Sequence, residues 1–361
     1  MVEKLLMLLL DGIALGCIYA LIALGYTMVY GIIKLINFAH GEFYMVGAYV
    51  AFAVLASVGT MGLPGAWDTV AILVAATIVA ALAAGVLAVA VERLAYRPLR
   101  RASRIAALLT ALGVSLFLQN AAVKVFSPNT RPFPAGVVDR RYPSIELPQS
   151  ELASGAVLSR DAYWSDAGGV EHFLSAVGQP LTSYDLEAAR GQGAVSFHSY
   201  PEVTVRKKQI IIWVSALLLT LALHMVVRYT KMGKAMRAVS YDFEAAELMG
   251  INVNRVISFT FFVGAALAGA GAVLVGMYYG TIKPTMGVMY GLKAFVAAVI
   301  GGIGSIPGAL FGGLALGTAE SMVKLSPSTA PYEDAFAFAA LVVMLVFLPN
   351  GFFGREEREK V

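Results

Sequence analysis

The stretch from Gly291 to Lys324, GLKAFVAAVIGGIGSIPGALFGGLALGTAESMVK, decides the fold of this chain. It has two apolar halves, and the sequence GSIPG at 304–308 separates them. Each half is short for a membrane-spanning helix, which needs about 20 apolar residues. Two interpretations stay open. One is a pair of half-helices, or a broken helix, buried within a helical bundle, because irregular backbone at membrane depth must be covered. The other is two ordinary helices joined by a tight turn.

The composition of the whole chain points to the same environment. Of its 361 residues, 58% are hydrophobic and only 14% are charged, whereas soluble domains are nearer half apolar and a quarter charged. We therefore predict a single all-α domain over residues 1–361, a polytopic transmembrane helical bundle with about eight membrane-embedded segments. Besides the opening stretch, the predicted spans are roughly residues 5–30, 35–57, 69–91, 105–125, 209–228, 255–279 and 334–349.

The basic residues predict how the bundle is oriented, because cytoplasmic loops are enriched in Lys and Arg. The loop ERLAYRPLRRASR at 92–104 and the loop at 229–254 are both basic, so both should be cytoplasmic. The amino terminus is then outside and the tail GREEREKV inside. Residues 126–208 become an extracytoplasmic insertion, for which a small ordered cap and an unstructured insertion both remain possible. A net charge of +4 spread in this way does not suggest nucleic-acid binding.

The cytoplasmic loop contains the amphipathic strip GKAMRAVSYDFEAAELMG, residues 233–250. Projected as one helix, it has a small apolar side and a side of mixed charge. The apolar side comprises Ala235, Ala238, Val239, Ala245, Ala246 and Met249. Because small residues allow another protein to approach closely, a protein partner is favoured over a lipid surface. Asp242 interrupts the apolar side; capping a second short helix is favoured over an ion pair with the partner.

Ionisable groups in apolar segments are candidates for a translocation pathway. The sequence NFAHGEF places Asn37, His40 and Glu42 near the inner end of the second span. His40 and Glu42 are two residues apart and should point to different sides of a helix, while Gly41 is a possible kink. The alternative is that these polar groups sit at a helix end and are satisfied by neighbouring backbone.

The opening stretch supplies further candidates. A half-helix beginning at Ser305–Pro307 would point its positive end at an anionic group of a bound solute. The glycines Gly304, Gly308 and Gly312, and also Gly313 and Gly317, are four apart, which suits close helix packing. Glu320 and Lys324 should pair with each other, or else line the outer mouth.

Several long motifs are similar to one family of transport proteins. They are GKAMRAVSYDFEAAELMGINVNRVISFTFFVGAALAGAGAVLVG from Gly233, LINFAHGEFYMVGAYVAF from Leu35, KAFVAAVIGGIGSIPGALFGGLALGTAES from Lys293 and LPNGFFGR from Leu348. In this order they resemble the permeases of branched-chain amino acid ATP-binding-cassette (ABC) importers, except over roughly 130–205. The resemblance implies a bacterial inner-membrane protein, and it implies three kinds of partner: a second homologous permease subunit, two ATPase subunits and an external solute-binding protein.

The resemblance also assigns a role to the strip, as the loop that docks on an ATPase. The docking residues it implies are Gly233, Arg237, Ala238, Asp242, Ala245, Ala246, Leu248, Met249 and Gly250. The sequence agrees that the chain is not itself an enzyme, since it contains no G-x-x-x-x-G-K-[ST] motif to cradle ATP phosphates. We expect no metal or other cofactor, because the only cysteine is Cys17 and no Cys/His metal spacing occurs.

Two other transport functions stay open at this point. The same architecture could carry urea, short amides or another small polar solute. An ion-coupled secondary transporter would instead need inverted repeats and matching buried carboxylates in two halves of the chain, and no clear repeat is visible. An intramembrane enzyme is not supported, since no H-E-x-x-H or paired carboxylates occur in the predicted spans.

Overall fold

A computed structural model describes residues 2–35, 37–59, 66–100, 102–134 and 204–354 of the chain. In the segment between the last two ranges it describes residues 141–142, 145–146, 162–165, 171–175, 183–192, 194 and 196–199. The predicted cytoplasmic tail from residue 355 onward lies outside the described residues.

Helices dominate the described residues. In chain order they are α1 Val2–Ile33, α2 His40–Gly59, α3 Ala66–Val91, α4 Arg104–Phe126, α5 Ser183–Gly191, α6 Lys207–Tyr229, α7 Lys231–Tyr241, α8 Phe243–Leu248, α9 Val253–Tyr279, α10 Met286–Gly301, α11 Ile306–Val323 and α12 Glu333–Phe347. A π-helical turn at Glu92–Tyr96 and a 3-10 turn at Arg97–Leu99 follow α3. Eight of these helices are long and apolar enough to cross a membrane, and α10 is apolar but shorter. The prediction of a polytopic helical bundle is confirmed.

The opening stretch folds as a helical hairpin. Helices α10 and α11 run antiparallel, because Gly301 lies against Gly308 and Ala297 lies against Gly312. The turn between them uses Gly302 at φ 96° and Gly304 at φ 100°, a backbone conformation that favours glycine. Of the two interpretations left open by the sequence, the tight turn between two helices is present, and α10, at 16 residues, is shorter than the eight candidate spans.

The core of the bundle is formed where α1 and α2 pack against α9, α10 and α11. Its largest fully buried side chains come mainly from α1 and α2, among them Tyr19, Phe43 and Tyr44. Helix α9 is the most buried of the spanning helices and α12 the least. Helices α4, α6 and α12 therefore form much of the outer surface of the bundle.

Glycines let several backbones of the core touch directly. A methyl group on Gly313 would overlap the backbone of Ala20, and one on Gly317 would overlap the backbone of Gly16, so α1 and α11 have no space for a side chain there. Methyl groups on Gly308 and Gly312 would likewise overlap the backbone of α10, at Gly301 and Ala297. Gly304 does not, because its Cβ position has nothing within 4 Å. Its predicted role in helix packing is wrong, and it is a turn residue instead.

Contacts between helix ends define two ends of the bundle. The Arg100 guanidinium donates to the Asn254 side chain over 2.6 Å, which joins the two basic loops at one end. At the other end, Gln209 at the start of α6 donates to Asp11 of α1 over 2.7 Å. Placing both basic loops at one end agrees with their predicted location on one side of the membrane.

The described part of residues 126–208 contains strands as well as helix α5. The strands are β1 Arg131–Pro132, β2 Arg141–Tyr142, β3 Ile145–Glu146, β4 Ala162–Ser165, β5 Glu171–Ser175, β6 Ser196–Ser199 and β7 Val205–Arg206, and β8 is Thr281–Ile282. Four of them form an antiparallel sheet in the order β3-β6-β4-β5, with buried Trp164 opposite Phe197. Strand β1 pairs with β8, and β2 pairs with β7. The described part of the insertion is thus an ordered element added to the helical bundle.

We predict that Gly317→Ala destabilises the protein by about 1–3 kcal/mol, because the new methyl group overpacks the contact between α1 and α11. The measurement is the midpoint of thermal unfolding in detergent. Gly113→Ala in α4 is the matched control, since nothing lies within 4 Å of its Cβ position. That variant should be neutral or slightly more stable, as alanine favours a helix. Equal stability of the two variants would contradict the packing described here.

Candidate functional site

The chain turns back into the bundle between α1 and α2. Helix α1 ends at Ile33, and Lys34 adopts a positive φ of 57°. Helix α2 begins at His40, whose ring packs against Gly25 of α1 and lies 4.4 Å from the ring of Tyr26. Gly25 precedes the end of α1 by about 12 Å at 1.5 Å per residue. Helix α2 therefore starts inside the bundle, and the predicted span 35–57 begins with non-helical backbone.

Side chains hold this turn in place. The side-chain oxygen Oδ1 of Asn37 accepts hydrogen bonds from the Ala39 amide over 3.1 Å and from the Tyr96 hydroxyl over 2.8 Å. Asn37 and Ala39 are both buried. Irregular backbone inside a membrane protein needs such cover, so the polar residues of NFAHGEF are placed by the start of α2 within the core.

The predicted pathway residues Asn37, His40 and Glu42 are all buried at this helix start. As expected, His40 and Glu42 contact different neighbours. His40 packs on α1, whereas the Glu42 carboxylate lies beside Gly287 of α10 and accepts from the Ser115 hydroxyl over 3.2 Å. Among the described residues, Asn37 Nδ2, His40 Nε2 and Glu42 Oε2 have no hydrogen-bond partner. The alternative interpretation was that neighbouring backbone satisfies the hydrogen bonds of these polar groups. It does not account for these three atoms.

The other predicted pathway residues lie elsewhere or act differently. Gly41 is inside the regular first turn of α2, where a methyl group would overlap the carbonyl of Gly287, so it allows close packing and the predicted kink is wrong. Ser305 caps α11 by accepting from the Gly308 amide over 3.2 Å, and Pro307 is exposed in the first turn. The positive end of α11 thus lies in the hairpin turn at the end of the bundle and does not reach a midplane site.

A buried cation that the sequence analysis missed joins three helices. Lys293 of α10 contacts Glu320 of α11 and Asp334 of α12, each over 2.5 Å, and its ammonium lies 5.9 Å from the ring of Tyr19. Lys293 and Glu320 are almost fully buried. The predicted pairing of Glu320 with Lys324 is wrong, because Lys324 instead contacts Glu333 over 2.6 Å. The available signal was a lysine within the apolar run GLKAFVAAVIGG.

The same cluster has carboxylate geometry that resembles a metal site. Oxygen atoms of Glu320, Glu333 and Asp334 lie within 4.8 Å of one another. Lys293 and Lys324 already contact these carboxylates. Two ammonium groups therefore take the positions that a cation would need, and the cluster is an ion-pair network.

A second ion pair lies next to a cavity at the end with the basic loops. Glu92 is fully buried; it contacts Arg100 and accepts from the Ser258 hydroxyl over 2.6 Å. Burial lowers the pKa of the Arg100 guanidinium, while the Glu92 carboxylate acts in the opposite direction. The cavity has a volume of about 280 Å³ and is mostly apolar. Its lining includes Asn37, Glu92, Tyr96, Arg100, Phe243 and Phe261.

The amphipathic strip forms two helices. The Asp242 carboxylate accepts from the amides of Glu244 and Ala245, each over 3.0 Å, and so caps α8. The favoured interpretation of Asp242 is confirmed, whereas the projection of 233–250 as one helix is wrong beyond Tyr241. Gly250, at φ 81°, follows the end of α8.

Because of this break, some of the predicted docking residues are buried and others are exposed. Gly233 and Ala246 are buried in the protein's own packing, whereas Arg237 is exposed and donates to the Val227 carbonyl. The buried side of α7 consists of Gly233, Met236 and Val239. Ala238 is half-buried, and Asp242, Ala245 and Gly250 are exposed. Large apolar side chains point outward at Tyr241, Leu248 and Met249, with exposures of 84%, 89% and 83%.

Comparison with known proteins identifies the class. The profile of the family described as "Branched-chain amino acid transport system / permease component" matches residues 8–345, and the chain belongs to this family. It is therefore a transport permease component, a multi-pass protein of the inner membrane.

Individual relatives agree with this assignment. The high-affinity branched-chain amino acid transport system permease protein LivH of Escherichia coli K12 is 40% identical, over 97% of this chain and 96% of the relative. The high-affinity branched-chain amino acid transport system permease protein BraD of Pseudomonas aeruginosa is 37% identical, over 98% of this chain and 97% of the relative. The ribose import permease protein RbsC of Haemophilus influenzae is 27% identical, over 50% of this chain and 55% of the relative. No solved structure matches the chain.

We predict that Lys293→Met lowers the stability of the protein by about 3–5 kcal/mol, because it leaves the Glu320 carboxylate buried without its cation. Thermal unfolding in detergent measures the effect. The double variant Lys293→Met/Glu320→Gln removes both charges and should recover most of the loss. Asp334→Asn is the control within the same network and should cost less, since the Asp334 side chain is 47% exposed. Equal losses in the single and double variants would contradict this explanation.

Proposed function

We propose that this protein is the membrane permease subunit of an ABC importer that moves leucine, isoleucine and valine into the cell. The family description and the names of the two long relatives support this cargo. The chain has no phosphate-binding G-x-x-x-x-G-K-[ST] motif, so ATP hydrolysis takes place on partner subunits. The partners are a second homologous permease, two ATPases and an external solute-binding protein. The chain itself uses no cofactor and lies directly in membrane lipid.

One observation carries the coupling part of this proposal. Tyr241, Leu248 and Met249 expose large apolar side chains in the loop that basic residues assign to the cytoplasm. Exposed apolar groups held on a fixed frame are typical of protein interfaces. We call this group the docking knob. It replaces the small-residue face as the surface that meets an ATPase.

The docking knob is attached to α7, which packs against the spanning helices. Helix α7 is capped by Thr230, whose hydroxyl accepts from the Gly233 amide over 3.0 Å. It buries Met236 and Val239 against the bundle. Force applied to the knob therefore acts on the spanning helices, because α7 is packed into the core and does not hang from a flexible loop.

A route from the docking knob to the interior passes through the cavity beside Glu92. Phe243 begins α8 and lines this cavity together with Tyr96. Tyr96 donates to Asn37, which fixes the start of α2. A movement of α8 would change the space around Tyr96 and so reach the buried helix start. This gives the ATPase a mechanical connection to Asn37, His40 and Glu42, the proposed pathway residues.

Selectivity for the cargo is expected to lie largely with the solute-binding protein. The surroundings of the pathway residues consist of small, aliphatic and aromatic side chains. Such a passage selects weakly for size and polarity. Uptake of labelled leucine, competed by other amino acids and by urea, distinguishes branched-chain cargo from small amides.

The docking assignment is tested by the double variant Leu248→Glu/Met249→Glu. Buried charge at an interface opposes association, so we expect at least about a tenfold loss of co-purifying ATPase, or about 1.4 kcal/mol. ATP-dependent leucine uptake should fall in proportion. Co-purification of the ATPase with the tagged permease is the primary measurement.

The control is Tyr184→Glu, which places one such charge at an exposed aromatic residue of α5 in the predicted extracytoplasmic insertion. That variant should retain its ATPase. Retention of the ATPase and full uptake in the double variant would overturn the docking assignment.

A further inference from the structure

Glu42 is a fully buried carboxylate with one unused oxygen. Its Oε1 accepts from the Ser115 hydroxyl over 3.2 Å, while Oε2 has no hydrogen-bond partner among the described residues. The ion pairs within that part of the chain join Arg100 to Glu92, Lys293 to Glu320 and Asp334, and Lys324 to Glu333, and none includes Glu42. Buried carboxylates normally have both a partner and a counter-charge, so Glu42 needs a specific explanation.

Two helix starts lie close to Glu42. Glu42 lies in the first turn of α2, and its Oε2 is 2.7 Å from the Cβ position of Gly287, in the first turn of α10. The amino-terminal end of a helix carries partial positive charge. Two helix starts thus lie next to one carboxylate, and its Oε2 has no hydrogen-bond partner among the described residues. The free oxygen can still accept a hydrogen bond from a cation.

Aromatic rings lie near this helix start. Tyr26 of α1 and Gly41 of α2 both lie within 3.5 Å of the Cβ position of Gly291 on α10, whereas Tyr44, two residues beyond Glu42, has its ring 5.7 Å from that of Tyr290. The Tyr44 hydroxyl is also without a partner among the described residues. Aromatic faces and a carboxylate together attract an organic cation. An ammonium group, which only donates hydrogen bonds, complements this set of groups.

We propose that Glu42 holds the ammonium group of the zwitterionic cargo while the cargo passes the start of α2. This assignment rests on the proposed import function and adds the recognised chemical group to it. The site lies where the connection from the docking knob ends, since Asn37 and Glu42 belong to the same helix start. Displacement of that start would therefore move the ammonium-binding oxygen itself.

Binding is tested first without nucleotide. The full-length permease is purified in detergent with its co-purifying subunits, and equilibrium dialysis measures labelled 3-methylbutylamine, which has the branched chain and the ammonium of leucine. Glu42→Gln keeps the shape and removes the charge. We expect its affinity for the amine to fall at least about tenfold, because a charge-assisted hydrogen bond is lost.

Three further arms make this measurement decisive. Ser115→Ala removes the donor to Oε1 and retains the carboxylate, so its affinity should stay within about twofold. Labelled 4-methylpentanoate lacks the ammonium and should bind the wild type and Glu42→Gln equally. Sodium chloride, compared at constant ionic strength with a salt of a bulky organic cation, should not displace the amine. Displacement by sodium would assign the site to an inorganic cation and overturn the proposal, as would equal amine binding by wild type and Glu42→Gln.

Transport then tests the role in passage. With the solute-binding protein saturated by leucine, Glu42→Gln should retain its ATPase and move at least about tenfold less leucine per ATP hydrolysed. An unchanged ratio would overturn the ammonium site and leave the importer assignment standing. Loss of ATP-dependent uptake in the wild type would instead refute the proposed function, whereas the binding measurement does not depend on hydrolysis.

Discussion

Direct contact between helix backbones is the constraint on which this structure depends. In lipid, helices associate through close van der Waals packing, and small residues permit the nearest approach. Gly16 of α1 meets Gly317 of α11, Gly47 of α2 meets Gly269 of α9, and Gly41 of α2 meets Gly287 of α10. Each contact leaves no room for a methyl group. Their combined effect is to fix α2 in depth and rotation, so that its first turn opens inside the bundle.

Among the described residues, buried carboxylates lie at three locations with different partners. Glu92 has Arg100, Lys293 has two carboxylates, and Glu42 has a single hydroxyl donor. The first two are ion pairs that connect helices, and removing one member of such a pair is costly. Glu42 is different because, among the described residues, it belongs to no ion pair and its Oε2 has no hydrogen-bond partner. In the proposed role, that oxygen meets the ammonium group of the cargo.

Much of the fold was predictable from the sequence, because composition and apolar length report directly on the membrane. The spans, the basic loops and the cap at Asp242 depend on residues close together in the chain. The partner of Glu320 does not, since Lys293 is 27 residues away across the hairpin. The sequence could indicate which residues belong to a candidate site, but it could not indicate whether each one is buried or exposed. Burial of Ala246 and exposure of Leu248 depend on where α8 meets the bundle, and no local periodicity contains that information.

The segment after α12 has a consequence for how the outer helices can move. The amides of Phe352 and Phe353 donate to the carbonyls of Ile300 and Gly301, each over 3.0 Å. The chain beyond α12 is therefore hydrogen-bonded to the end of α10. Near its other end, α12 is held by Asp334 on Lys293. Movement of α12 away from α10 would break contacts near both ends of α12. We therefore expect α12 to move together with the hairpin of α10 and α11.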